Sequence, residues 1–169
     1  TKKAYLWAYR SNDLQPGPKI IVFDYQAGRG GRYAQQFLKD WQGQLLVDDY
    51  GGYKALFAAA RAHPETQGLV EPCVELACWA HARRKFFDLF QASQSPIAQE
   101  ALNRIAALYA IEAEGRKLAT DERQRLRAEK SLPALVNLHD WLQQTRLSTA
   151  PNSTTSKAID YSLKRWLAL

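Results

Sequence analysis

Two stretches of this 169-residue chain gather residue types that can do chemistry. The first is LLVDDYGGY, residues 45–53, where an apolar run ends on Asp48 and Asp49 before a tyrosine and two glycines. Carboxylates at the end of a buried strand suit a hard cation that wants oxygen ligands. Two Mg²⁺ ions roughly 3.5–4 Å apart activate a water or hydroxyl and stabilise the leaving oxygen in phosphodiester chemistry. Because Mg²⁺ keeps several of its waters, a few carboxylates and a substrate phosphate complete its shell. By residue type alone, Asp48 is open between that role and a solvated strand-end acid or helix cap. Asp49 stands beside the helix that opens around residues 51–53 and is expected to cap it. Asp24, at the end of VFD, is a rival carboxylate on the preceding strand, expected in a structural or supporting role.

The second stretch is CWAHARRKFF, residues 78–87. Cys78 and His81 have the spacing of half a zinc site, and Cys73 offers a third ligand. His63 and His139 lie in unrelated contexts, so no structural zinc is expected. His81 is open between a plain strand-to-helix junction and a position facing the same sheet edge as Asp48, where it would touch a phosphate or scissile group. Arg83, Arg84 and Lys85 either hold phosphates or form a solvated helix face.

These residues must be positioned by strands and helices that the pattern makes legible. AYLWAYR (4–10) and KIIVFDY (19–25) are rich in β-branched and aromatic residues and flank a Pro-Gly-Pro turn, which predicts an antiparallel hairpin. RYAQQFLKDWQ places Tyr33, Phe37 and Trp41 four apart, predicting a helix that Gly43 stops. QLLV (44–47) reads as a buried strand, YKALFAAARA as a helix, VELACWAH (74–81) as a strand, and ARRKFFDLFQ as a helix. Beyond about residue 92 everything reads as helix. Ile97, Ala101, Ile105, Leu108 and Tyr109 form one stripe, and Leu132, Leu135, Leu138 and Trp141 form another. Between them, KLATDERQRLRAEK is a charged helix or loop. TAPNSTTS offers Ser and Thr caps to a last helix with Ile159, Leu163, Trp166 and Leu167 on its apolar face.

The bulk numbers set limits. A hydrophobic fraction of 46% and a charged fraction of 24% are ordinary for a globular protein and allow a real core. No run is long enough to cross a membrane, and no signal-peptide pattern is visible. A net charge of +6 and a pI near 9.4 favour a polyanionic partner. Two cysteines are too few for a disulfide scaffold and suggest a reducing cytoplasm. The opening TKKAYLW reads as already inside a folded element, so the chain is expected to be cut from something longer.

LLVDDYGGYKALF resembles the L-x-x-D-x-Y-x-G-Y-x-A-L signature of the DDE transposases of insertion-sequence family sixty-six. IIVFDYQAGRGGRYAQQFL, CWAHARRKFFDL, LHDWL and SKAIDYSLKRWLAL resemble further passages of that family, in the same order. The resemblance implies an α/β, ribonuclease-H-like catalytic core with a mixed sheet whose first strand is missing. It also implies a bacterial DNA-cleaving and strand-transferring enzyme that uses two Mg²⁺ ions held by three carboxylates. Residue by residue, the family's second catalytic aspartate maps onto Asp48 and its C-x-x-H element onto Cys78 and His81. Partners would be transposon-end and target DNA, in a homo-oligomer in the bacterial cytoplasm. Residues 1–92 would be partial catalytic core, 93–148 a helical insertion, and 149–169 a linker and helix leading toward the third acid. Nothing in the chain matches the family's D-E-[TS] strand or its terminal D-N-x-x-E-type motif. Glu100, Glu112, Glu114, Glu122 and Glu129 fall in the helical segment and match neither. The 169 residues alone are therefore expected to be inactive. The alternative expectation is a non-catalytic transposase relic that binds DNA or oligomerises.

Overall fold

A computed structural model describes residues 3–12, 17–39, 41–57 and 73–169 of the chain. The chain folds as two compact units, Thr1–Glu75 and Leu76–Leu169. It is mixed α/β, mostly helical with small sheets.

In the first unit, β1 (Tyr5–Arg10) and β2 (Ile21–Gln26) form the expected antiparallel hairpin, with Trp7 opposite Asp24 and Tyr9 opposite Val22. Ser11 closes the ladder twice: its N–H donates to the Ile20 carbonyl (2.9 Å), and its hydroxyl accepts the Ile20 N–H (2.8 Å). Because strand side chains alternate, Tyr5, Trp7 and Tyr9 share one face. Trp7 is buried on that face, while Leu6, Ile21, Phe23 and Tyr25 on the other are exposed.

Helix α1 spans only Gly31–Phe37, shorter than its apolar spacing predicts, so Trp41 lies beyond it. No side chain caps its start, and its last residue is pinned by Phe37 stacking on Tyr9 at 4.2 Å. Gly43 does not cap the helix. It opens β3 (Gly43–Val47) with φ +115°, a turn-making conformation open to glycine. A 3-10 turn, Gly51–Tyr53, follows and runs into helical residues 54–57; the remainder of the expected YKALFAAARA helix, and His63, lie outside the described residues. β3 pairs with β4 (Cys73–Ala77) in a second two-stranded sheet. Among the described residues the strands thus form two separate pairs rather than the single mixed sheet expected.

The strand expected over 74–81 stops at Ala77, and Trp79–Ser93 is helix α2, with Cys78 at its N-cap. Gln94, in the left-handed region (φ 50°), ends α2 by donating its N–H to the Phe90 carbonyl. Ser95 then accepts the Ala98 N–H, and Pro96 opens α3 (Pro96–Gly115). α4 (Thr120–Leu126) runs through a π-helical segment, Arg127–Ser131, into α5 (Leu132–Leu147). Pro133 accounts for the π turn: it has no N–H to donate, and its ring crowds the carbonyl four residues back, at Glu129. Ser153 caps α6 (Thr154–Lys164) by accepting the Ser156 N–H at 3.0 Å, as its sequence predicts. A final 3-10 turn covers Trp166–Ala168.

Helices α2, α3, α5 and α6 pack so that each touches two of the others, enclosing Phe86, Ile105, Leu138, Leu142 and Ile159, all fully buried. The expected stripes are right in their centres and displaced at their ends. Ala98 and Leu102 join the α3 core while Tyr109 is exposed; in α5 Leu142 is buried and Leu132 exposed. Leu167 is fully exposed beyond the last helix.

Candidate functional site

Asp48 follows the last residue of β3 and is exposed. Its Oδ1 accepts the Tyr50 N–H at 3.1 Å, so one oxygen is fixed by the turn that begins there. This reverses part of the sequence expectation. The 3-10 turn has Tyr50, not Asp49, at its N-cap, and no side chain caps it. Asp49 instead adopts φ 71°, the left-handed conformation that short polar residues tolerate best, and it swings the chain from the strand into the turn.

An aromatic cluster holds the turn in place. Trp7 meets Tyr50 and Tyr53 edge to face, with centroids 6.0 and 5.7 Å apart, and the two tyrosines meet each other at 6.2 Å. Edge-to-face pairs suit the ring quadrupoles and fix orientation. The Tyr50 hydroxyl donates to the Arg29 carbonyl, and the Arg29 guanidinium lies over the Tyr50 ring. A Cβ on Gly31 would overlap the Gly52 carbonyl, so the loop after β2 and the turn after β3 touch through bare backbone.

Burial, and then the negative charge of Asp48, push the Tyr53 phenol above its ordinary value. Tyr9 is pushed up to about 12, by burial first, then by Tyr53 and Asp24. Asp24 is half-buried and held by its own strand, its carboxylate accepting both contacts (2.9 and 3.0 Å) from Gln26 Nε2.

In the second unit, His81 is exposed in the first turn of α2, not on a strand, and its N–H donates to the Cys78 carbonyl. Cys78 and Cys73 are free, half-buried thiols, and burial raises that of Cys73. Arg83, Arg84 and Lys85 are consecutive on one helix and so point about 100° apart. Arg83 lies over Phe87, Arg84 faces Asp88 at 3.8 Å in solvent, and Lys85 lies over Tyr161 of α6. The three cations diverge rather than form one patch.

Four glutamates of this unit have structural partners. Glu112 takes Arg127 in a two-pronged pair, Glu114 takes Lys130 at 2.6 Å, and Glu100 takes Arg104 at 2.7 Å. Glu122 accepts the Ala119 N–H at the start of α4. Arg123 donates to the Gly115 and Leu118 carbonyls, stapling the turn between α3 and α4.

Family resemblance points to a divalent metal, and Asp48 fits one oxygen ligand of such a site. It is a solvent-facing carboxylate with one oxygen oriented by a hydrogen bond, which suits a partly hydrated Mg²⁺. Among the described residues no group of three or more His, Cys, Asp or Glu converges, so these residues do not supply a full ligand set. Asp48 belongs to one unit and His81 to the other.

The sequence matches the profile described as "Transposase IS66 family" over residues 1–169. The chain belongs to the IS66 transposase family. Three curated relatives come from Sinorhizobium fredii (strain NBRC 101917 / NGR234). "Uncharacterized protein y4hP" is 33% identical over 95% of the chain and 31% of its own length. "Uncharacterized protein y4qI" and "Uncharacterized protein y4jD" are 34% and 33% identical over the whole chain, and 31% and 33% of their own lengths. The chain thus spans about a third of the length of these relatives. No solved structure matches. Among the described residues no helix of this IS66 family member is long and apolar enough to cross a membrane.

The residues that sequence reasoning missed are those around Asp48: Trp7, Arg29, Tyr50 and the Gly31–Gly52 contact. A signal was present in the two tyrosines three apart after the aspartates and in the glycine-rich AGRGG loop. What no spacing reveals is that the loop and the turn meet.

Proposed function

We propose that the chain is the central part of a DDE transposase core that cuts transposon ends and joins the 3′-hydroxyl to target DNA. One observation carries this reading. The position matching the family's second catalytic aspartate is an exposed carboxylate at the end of β3, with one oxygen held by the Tyr50 N–H. In this reading residues 1–92 belong to a ribonuclease-H-like core, 93–148 to a helical insertion, and 149–169 to a linker and helix leading toward the third acid.

Asp48 would hold a Mg²⁺ ion through its open oxygen. Bound there, the ion would supply activation of the attacking water or hydroxyl and stabilisation of the leaving oxygen. The chain's own residues do the rest. The aromatic cluster keeps Asp48 in one orientation, His81 touches a phosphate or scissile group, and Arg83, Arg84 and Lys85 contact the DNA backbone. Residues 1–169 contain no match to the family's first and third acidic motifs, so this stretch alone should not cleave DNA with Mg²⁺ or Mn²⁺. Transposon-end and target DNA, a homo-oligomeric assembly and a bacterial cytoplasmic location belong to the same proposal.

In the full-length protein, Asp48→Ala should abolish strand cleavage while DNA binding persists. Asp49→Gly, which keeps the left-handed backbone, should leave cleavage intact. Cleavage surviving in Asp48→Ala would overturn the assignment.

A second reading, a non-catalytic relic that binds DNA or oligomerises, draws on the exposed apolar face of the hairpin. It requires that the parent protein cut nothing, with or without Asp48, and that substitutions on that face change its oligomeric state.

A further inference from the structure

We infer that Arg29, seated on the ring of Tyr50, grips a DNA phosphate beside Asp48; this rests on Asp48 being the cleaving carboxylate of the proposed function. Arg29 is exposed, and its guanidinium carbon lies 5.6 Å from the Tyr50 centroid. Its exposed guanidinium carries N–H donors in a planar fork that matches a phosphate.

The platform beneath it is fixed at three points. Trp7, itself buried, braces the Tyr50 ring edge to face. The Tyr50 hydroxyl ties down the Arg29 carbonyl, and its main-chain N–H holds Asp48. The Arg29 loop cannot drift from the turn, because Gly31 lies against the Gly52 carbonyl with no room for a Cβ. Tyr50 therefore carries a cation at its ring and a carboxylate at its backbone.

Arg32 and Arg83 also lie over rings, those of Tyr33 and Phe87, and of these ring partners it is Tyr50 whose main chain holds Asp48. Arg127 and Arg146 are each forked onto a carboxylate, Glu112 and Asp160 respectively. Arg104 pairs with Glu100, and Arg32 donates to the Tyr33 hydroxyl at 2.8 Å. Among the described residues Arg29 faces no carboxylate; its partner is the Tyr50 ring beside the Asp48 turn. The ligand that answers both neighbours is a phosphodiester. Its negative oxygens match Arg29, and its scissile bond is what the chemistry at Asp48 acts on.

The test uses the full-length protein and a fluorescein-labelled duplex, with affinity followed by anisotropy across a KCl series. Arg29→Gln should lower the log–log salt slope by about 0.9, the loss of one phosphate contact. Arg29→Lys should restore the slope, and Tyr50→Leu, which removes the platform, should lower it as Arg29→Gln does. The melting temperature of Arg29→Gln should match that of the parent, since the side chain is exposed. An unchanged slope in Arg29→Gln overturns the inference, whatever happens to cleavage. Asp48→Asn, run in parallel, separates the two claims: persistent cleavage there would sink the catalytic reading and leave the Arg29 contact standing.

Discussion

The helical unit and the sheet unit bury their apolar residues very differently. In the helical unit Phe86, Ile105, Leu138, Leu142 and Ile159 are closed off by four helices that each touch two others. In the sheet unit Trp7, Ala34, Leu38, Val47 and Phe57 are buried, while Leu6, Ile21, Phe23, Tyr25, Leu46 and Val74 face outward. Among the described residues the helices hold the larger core, and the strands hold an exposed carboxylate turn at Asp48, pinned by aromatic edges rather than deep packing. In the proposed function the metal-holding carboxylate lies in the sheet unit, while His81 and the basic triplet lie on the helical unit that holds the larger core.

The largest test of that contrast is Phe86→Ala, which should cost about 3–5 kcal/mol in urea unfolding by opening a cavity among the helices. Phe23→Ala, at a comparably large ring on the exposed hairpin face, should stay within about 0.5 kcal/mol. An equal cost at the two positions would break the contrast and mean that the hairpin face is covered. Trp7→Ala should speed amide exchange in β1, β2 and the turn at 50–53 while leaving α3 unchanged. Exchange that also quickened in α3 would show the two units to be energetically one.

Smaller effects sharpen the picture within the helices. Ser153→Ala removes the hydroxyl that accepts the Ser156 N–H and should cost about 1 kcal/mol in the same assay. Smaller still is the pair of Glu112 with Arg127, whose hydrogen bonds hold the Glu112 carboxyl below its ordinary value. A depressed acid stabilises the fold above its unfolded value, and that stabilisation is lost as pH falls through the lower, folded one. Both side chains are about half exposed, so the pair contributes at most about 1 kcal/mol. Arg127→Met should remove that much near neutral pH and flatten the acid side of the stability–pH curve; an unchanged acid limb would contradict it.

Much of the architecture is legible in residue patterns because it depends on short-range rules. The hairpin follows from alternating aromatic and β-branched residues around a Pro-Gly-Pro turn, and its pairing places Trp7 opposite Asp24. Ser153 is readable as a cap because a serine before an apolar-periodic run has one obvious use. Other features depend on contacts that sequence spacing does not encode. Helix α1 stops at Phe37 although Trp41 is in phase: Leu38 leaves the helical conformation as its C-cap, and Gly43 acts only further on, where it opens β3. Helix α2 starts at Trp79 because the strand before it ends at Ala77, and that moves His81 onto a helix. The basic triplet looked like a patch only in one dimension; helical geometry separates Arg83 and Lys85 and lays each on a different ring. At the aspartate pair, residue type favoured Asp49 as the cap. The backbone gives Asp49 the left-handed bend and gives Asp48 the Tyr50 N–H.

Asp48→Asn bears most directly on the division between scaffold and chemistry, because it separates the two with one atom. Asparagine keeps the Oδ1 acceptor for Tyr50 and so keeps the turn, but it gives up the negative charge that a metal ligand needs. Strand cleavage and melting temperature should be measured on the same preparation of the full-length protein. The prediction is cleavage reduced to background with the melting temperature unchanged. Undiminished cleavage, or a melting temperature that falls together with activity, would contradict it.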